Sequence, residues 1–281
     1  MGGRLTMRCA ALVIAAALLI AGPSRAAQPR IASMNVCTDQ LLLSLADPGQ
    51  IAGLSRYARD DWQSWRAADA QEFPVLSGGA EDILVLNPDV VVASLFDKRA
   101  TRELLRAHGV QLAEFSVPRT MDEVKAQIRE MGAITGQATR AHAEIARIDA
   151  AIRHARETIG QRNDRVLPLS RRGWVAGRDS LLGVLLREAG LRNAADELGI
   201  TDGAFISLEG ILALKPDILL LSEAGDRAED EGRAFLLHPA LARFYPQDLR
   251  IVIPDRLTVC GGVVLAEALD LLVSEMKRVG K

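Results

Sequence analysis

The sequence reads EDILVLNPDVVVAS at residues 81–94 and EGILALKPDILLLS at residues 209–222. Seven of the fourteen positions are identical, where ordinary composition gives roughly one match by chance. The copies lie 128 residues apart. That is too far for a solenoid repeat and suits two lobes built alike. Each copy opens with a helical turn whose apolar residues share a side: Ile83, Leu84 and Leu86, then Ile211, Leu212 and Leu214. Proline ends the turn, because it lacks an N–H donor and restricts the residue before it. An unbroken apolar run follows, Val90 to Ala93 and Ile218 to Leu221. A strand without polar alternation is buried on both faces, as in a parallel sheet covered by helices. The runs end at Ser94 and Ser222. Ligands of open parallel sheets bind beyond the carboxyl ends of strands, so the two serines point to one crevice between two lobes.

Outward from the copies, strands alternate with helices twice over, the α/β pattern. The first lobe, residues 27–120, contains expected strands at Arg30–Met34, Ile51–Leu54 and Leu112–Phe115. Thr38 is expected to cap a helix over Asp39–Leu45, and the polar segment from Asp60 to Trp65 reads as helical. Residues 121–162 form a helical segment, weakly interrupted at Gly132 and Gly136. Within it, about 138–160, apolar residues recur at 141, 145, 148, 152 and 155, near a 3.6 period. This stretch lacks proline and glycine–serine tracts, so it reads as a rigid connecting helix rather than a linker. The second lobe, residues 163–281, opens with a strand at Arg165–Leu169 and a basic, aromatic loop, SRRGW at 170–174. It continues through the second copy to a strand at Ile251–Ile253 and a final helix from about Gly262 to Val279.

Residues 1–26 read as a cleavable export signal. Arg4 and Arg8 precede an apolar run, and Ser24-Arg25-Ala26 suits a small-x-small cleavage site. The run is short for a membrane span. Cleavage leaves 31 basic against 36 acidic residues, and no basic patch with a motif suggests nucleic acid. The mature chain then carries two cysteines, Cys37 and Cys260. An oxidising compartment invites a disulfide, but spacing leaves three readings open: a bond, ligands to a soft metal or haem iron, or separate thiols.

The paired copies, the long connector and the opening RIASMN at residues 30–35 are similar to the periplasmic binding proteins for ferric siderophores, haem and vitamin B12. The resemblance spans essentially all of the mature chain. It implies two α/β lobes with mainly parallel sheets flanked by helices and joined by one spine helix, the class III arrangement. It also implies a monomer without a cofactor, which holds its ligand in the inter-lobe cleft and delivers it to the permease of an ABC importer. In that family one glutamate per lobe, at the head of this motif, pairs with permease arginines; Glu81 and Glu209 stand at those positions. From the residues alone, each equally reads as a helix N-terminal acid favoured by the dipole, worth ~0.3–1 kcal/mol. A single stiff connector implies a largely preformed cleft, and release by a permease that prises the lobes apart.

Ligand contacts are expected at the strand exits: Asn35, Cys37, Thr38, Arg56, Tyr57, Ser77, Leu95, Phe96, Arg172, Trp174, Phe205, Glu223, Arg256 and Cys260. Each alternatively reads as a loop residue beside the cleft. Tyr57 and Trp174 can stack on a flat ligand; Trp62 reads as a cover for its own helix. The arginines can neutralise a carboxylate or catecholate chelate. Aromatics are 4% of the chain, lean for a corrinoid pocket, which favours a ferric chelate over cobalamin. Haem needs an axial Tyr, His or Cys, and His108, His142, His154 and His238 all fall on expected helices. No bare-metal ligand set sits at the strand exits, so no metal site is expected. An exported enzyme is the rival class. The chain lacks Gly-x-Ser-x-Gly, a P-loop, Gly-x-Gly-x-x-Gly and His-Glu-x-x-His. A periplasmic sensor sharing the cleft is a third reading.

Overall fold

The chain is described by a computed structural model over residues 28–222 and 231–279. The expected signal segment and Glu223 lie outside the described residues. The first lobe runs β1 (Ile31–Ser33), α1 (Val36–Leu45), β2 (Ile51–Ser55), β3 (Val75–Leu76), α2 (Ala80–Val85), β4 (Val90–Ser94), α3 (Arg99–Ala107) and β5 (Gln111–Phe115). Its sheet is parallel throughout, in the order β3-β2-β1-β4-β5. Two helices follow, α4 (Met121–Ile134) and α5 (Ala138–Ile159). The second lobe runs β6 (Arg165–Leu169), β7 (Trp174–Ala176), α6 (Leu181–Glu188), β8 (Arg192–Asn193), β9 (Gly203–Phe205) and α7 (Leu208–Leu214). It ends with β10 (Ile218–Leu221), α8 (Glu231–Leu236), α9 (Pro239–Phe244), β11 (Arg250–Val252) and α10 (Leu265–Arg278). Its sheet has the order β11-β10-β6-β7-β9, with β8 paired to β6. β6, β10 and β11 are parallel, while β7 pairs antiparallel with both β6 and β9.

The duplicated strands are central and buried on both faces. Val90 and Val92 of β4 join one apolar cluster and Val91 another; Ile218 and Leu220 of β10 share the first, while Leu219 and Leu221 join a third. The shared cluster contains α1, α4, α5, α6 and α10 side chains, so one helical layer runs behind both sheets. α5 is the spine. Ala141, Ile148, Ile152 and Ala155, four of the five positions on its apolar period, are buried, and Arg147 ties it to α10 through Glu267 (2.6 Å) and the Val263 carbonyl (2.8 Å).

Two local readings need correction, and of the two interruptions expected in the helical tract one is found, at Gly136, while Gly132 lies within α4. α1 is capped by Asn35, not Thr38: the Asn35 Oδ1 accepts the N–H groups of Cys37 (3.0 Å) and Thr38 (3.1 Å). The expected helix from Asp60 to Trp65 is a set of turns, because Asp60 accepts the Trp62 N–H at 2.9 Å and folds the chain locally. The helical tract breaks at Thr135–Gln137, where Gly136 takes φ +70°, a conformation glycine adopts without a Cβ clash.

Candidate functional site

Both sheets present the carboxyl ends of their strands to the space between the lobes. Ser94, at the end of β4, lines a cavity of about 90 Å³ with Asn35, Cys37, Thr38, Phe115 and Val117; Leu181, Val259 and Gly261 of the other lobe close it. Ser222, at the end of β10, lines a second of about 250 Å³ with Val252, Pro254, Asp255 and Arg256; Asp61 and Trp62 of the first lobe face them. Each serine therefore faces the opposite lobe. A larger cavity of about 530 Å³ sits at the opposite edge of the second sheet, around Asp164, Lys215 and Asp217, where β6 and β10 begin. It contains no strand exit, so its size does not make it the ligand site.

Cys37 and Cys260 form a disulfide, with Cα atoms 5.1 Å apart, inside the ordinary range. It joins the first turn of α1 to the loop before α10 and so spans the cleft. The metal-ligand and separate-thiol readings fall. Cys260 is 2% exposed, which makes it scaffold rather than contact surface.

The remaining candidates divide into three groups. Asn35 and Thr38 line the smaller cavity but are already engaged. The Asn35 amide donates to Asp97 (2.9 Å), and the Thr38 hydroxyl lies 2.7 Å from that of Ser33. Beneath them Asp39 is buried, accepting the Ser55 N–H (3.0 Å) and hydroxyl (2.5 Å). Burial raises its carboxyl to about 7, outweighing the Ser33 and Ser55 donors that favour the carboxylate; Asp97 adds a smaller upward push. The second group is exposed. Trp174 and Phe205 meet edge-to-face at 5.0 Å. Arg56 donates to the Tyr57 hydroxyl at 2.6 Å and also lies over its ring. Leu95 and Phe96 follow β4, and Arg172 is exposed beside Trp174. Arg256 lines the inter-lobe cavity of about 250 Å³ with Trp62 and Ser222. Ser77 is the third case. Its N–H donates to Asp82 and its hydroxyl accepts from Gly79 N–H (3.2 Å), so it serves the start of α2 and lines neither inter-lobe cavity.

Trp62 corrects the sequence reading in the other direction. It is 58% exposed and faces β10 and β11 instead of covering a helix of its own. Asp61, Val117, Leu181 and Val259 also line the cavities; their sequence signals are slight, since Asp61 and Val117 lie beyond strand ends, Leu181 follows the capping Ser180 and Val259 precedes Cys260. The four histidines are all exposed. Among the described residues no group of three or more His, Cys, Asp or Glu is placed to hold a metal ion, and no helix is long and apolar enough to cross a membrane.

Glu81 and Glu209 are exposed in the first turns of α2 and α7. α2 follows the end of β3 and α7 the end of β9. Both acids thus stand on the edge of their sheet where the cleft opens. The Glu209 carboxyl is held below the usual range by its own backbone N–H and the Ser207 hydroxyl.

Two lobes, one spine and a cleft at the strand ends define a two-lobed solute-binding protein. Residues 31–245 match the family model described as periplasmic binding protein, and the chain belongs to that family. A cobalamin-binding protein of Halobacterium salinarum is 25% identical over 224 residues; these cover 76% of this chain and 59% of that protein. The periplasmic haem-binding protein RhuT of Roseiflexus superposes with a TM-score of 0.71 at 26% identity, covering 88% of this chain and 97% of RhuT. A Fe3+-hydroxamate transport-system protein of Saccharomonospora viridis shares the fold, with a TM-score of 0.67 at 18% identity and coverage of 89% and 93%. Family and neighbours are solute-binding proteins of the periplasmic type, which decides against the enzyme reading.

Proposed function

We propose that the chain is the capture component of an ABC importer, exported by residues 1–26. It takes a metal chelate with a broad apolar face into the inter-lobe cleft and delivers it to a membrane permease. The observation that supports this most is where the aromatic residues lie. Five of the eleven, Tyr57, Trp62, Phe96, Trp174 and Phe205, are exposed and follow strand ends or face the other lobe. Exposed aromatics in a cleft stack on flat ligands, and Arg56, Arg172 and Arg256 among them suit carboxylate side groups. The low aromatic content that favoured a ferric chelate over cobalamin is offset by this concentration. A metal tetrapyrrole, haem or a corrinoid, fits better, and the cobalamin- and haem-binding relatives support it.

Tryptophan quenching against haem, cobalamin and a ferric hydroxamate tests the ligand. Haem or cobalamin is expected to quench, with affinity falling about tenfold in Trp174→Ala; binding of the hydroxamate alone overturns the tetrapyrrole reading. Glu81 and Glu209 dock the permease, steering and orienting it more than adding affinity. Glu81→Arg with Glu209→Arg is expected to abolish uptake and leave ligand affinity intact, and unchanged uptake refutes the docking role. Stimulation of permease ATP hydrolysis by the loaded protein separates delivery from sensing.

A further inference from the structure

The chain joins its lobes through α5, and the Cys37–Cys260 bond joins them a second time across the cleft. The surroundings of that bond are tight. A Cβ at Gly261 would overlap the Pro118 ring, and one at Gly262 would stand 3.2 Å from Leu41 Cδ2. The second lobe's backbone therefore lies flush on the first at this seam. The Gln40 amide reaches the Cys260 sulfur at 3.7 Å. Farther along the rim, Arg119 of the first lobe pairs with Asp202 of the second at 3.1 Å. Behind the bond, Arg147 of α5 holds Glu267 and the Val263 carbonyl. The segment carrying Cys260 is thus fixed to the spine and to the first lobe together.

A single stiff connection lets two bodies bend about any axis through it. A second attachment leaves rotation only about the line joining the two. The glycine seam around the bond and the Arg119–Asp202 pair beyond it oppose the remaining rotation, and close-packed seams do not deform continuously. Granted the cleft reading above, we propose that the Cys37–Cys260 bond locks the lobes at one gape. The ligand enters and leaves a cleft that does not open or close. The permease then frees it by displacing rim loops such as Arg56–Tyr57 and Leu95–Phe96, not by prising the lobes apart. The bond also sets the depth of the cleft. Cys37, Val259 and Gly261 wall the inter-lobe cavity at Ser94 and Arg256 the one at Ser222, so the ligand lies over the bridge and is kept from the spine.

The test places azide-bearing residues at Ala107 and Asp248, one exposed position per lobe, and couples two dyes without touching the cysteines. Single-molecule energy transfer on the mature chain then reads lobe separation, ligand-free and with haem or cobalamin added. One narrow distribution is expected, moving by less than about 2 Å with either probe. Cys37→Ser with Cys260→Ser is expected to broaden it toward longer distances and to weaken the bound probe at least fivefold. A variant distribution identical to the parent's overturns the lock, as does a parent that shortens on loading. Should the variant not fold, the parent treated with a dithiol decides: unchanged separation after measured loss of the bond overturns the proposal, and broadening supports it. If neither probe binds, the ligand reading fails while the ligand-free comparison still decides the lock.

Discussion

In the first lobe the Asp89 carboxylate accepts the Arg30 N–H at 2.7 Å, and in the second the Asp217 carboxylate accepts the Arg165 N–H at 2.7 Å. The same aspartates donate their own N–H groups to the same two carbonyls, Arg30 at 2.8 Å and Arg165 at 2.9 Å. Each repeat thus ties its helix–turn–strand to the first strand of its own lobe. The residue before each proline is left-handed in both copies, Asn87 at φ 46° and Lys215 at φ 50°. Beyond the repeat the lobes diverge. The first sheet is wholly parallel, whereas β7 and β9 give the second an antiparallel edge. That edge carries Trp174 and Phe205 as a ledge with no equivalent in the first lobe's parallel sheet. The repeat thus makes Glu81 and Glu209 a matched pair at the starts of α2 and α7, and the unmatched edges give an aromatic ledge to the second lobe alone.

The bond between the lobes is where the comparison breaks most sharply. A sequence separation of 223 corresponds to about 5 kcal/mol in the chain-entropy model, the top of the observed range. Cys37→Ser with Cys260→Ser is expected to lower the calorimetric Tm substantially and to split one transition into two, one per lobe. A single transition at the parent Tm contradicts this.

Next in size is an effect built into one lobe only. Folding raises the Asp39 carboxyl from its ordinary 3.8 to about 7, so the folded state holds a proton that the unfolded chain has released. Its contribution is complete below about pH 4 and is lost as pH rises toward 7, on the order of 4 kcal/mol as an upper bound. Denaturant titrations from pH 4 to 8 are expected to show stability falling with pH in the parent, and a flatter profile in Asp39→Asn. Equal slopes remove Asp39 from the account.

The repeat was legible because an apolar run following a proline-ended turn has only one comfortable home, a strand covered on both faces. α5 was legible through its 3.6 period, which four buried residues follow. Other features left weaker traces. Asn35 and Thr38 are both good caps three residues apart, and buried Val36 tips the choice by joining the helix. β7 and β9 have three residues each, too few for any periodicity. The cysteine pairing needed coordinates, since two thiols 223 residues apart give no geometric hint. Trp62 was misplaced because its supposed helix is a turn set by the Asp60 carboxylate.

The aspartate ties sharpen the symmetry between the lobes. Asp89→Ala and Asp217→Ala each remove one charge-assisted hydrogen bond, and both bonds are exposed. Each substitution is expected to cost about 1–2 kcal/mol by urea denaturation. Costs differing by more than about 2 kcal/mol mean that the geometric likeness does not extend to energy.

The smallest effect tests the same symmetry at the turn. Both residues before the prolines are left-handed, where an ordinary side chain costs roughly 1–2 kcal/mol and asparagine less. Glycine removes that cost but loses about 0.5–1 kcal/mol through the greater freedom of the unfolded chain. Lys215 caps α7 with its N–H on the Ile211 carbonyl, a bond glycine keeps. Lys215→Gly is therefore expected to stabilise by about 0.5 kcal/mol, and Asn87→Gly to be close to neutral. Urea midpoints of the two variants, measured side by side, decide it. A stabilised Asn87→Gly with an unaffected Lys215→Gly would mean that the shared left-handed geometry is held by different forces in the two lobes.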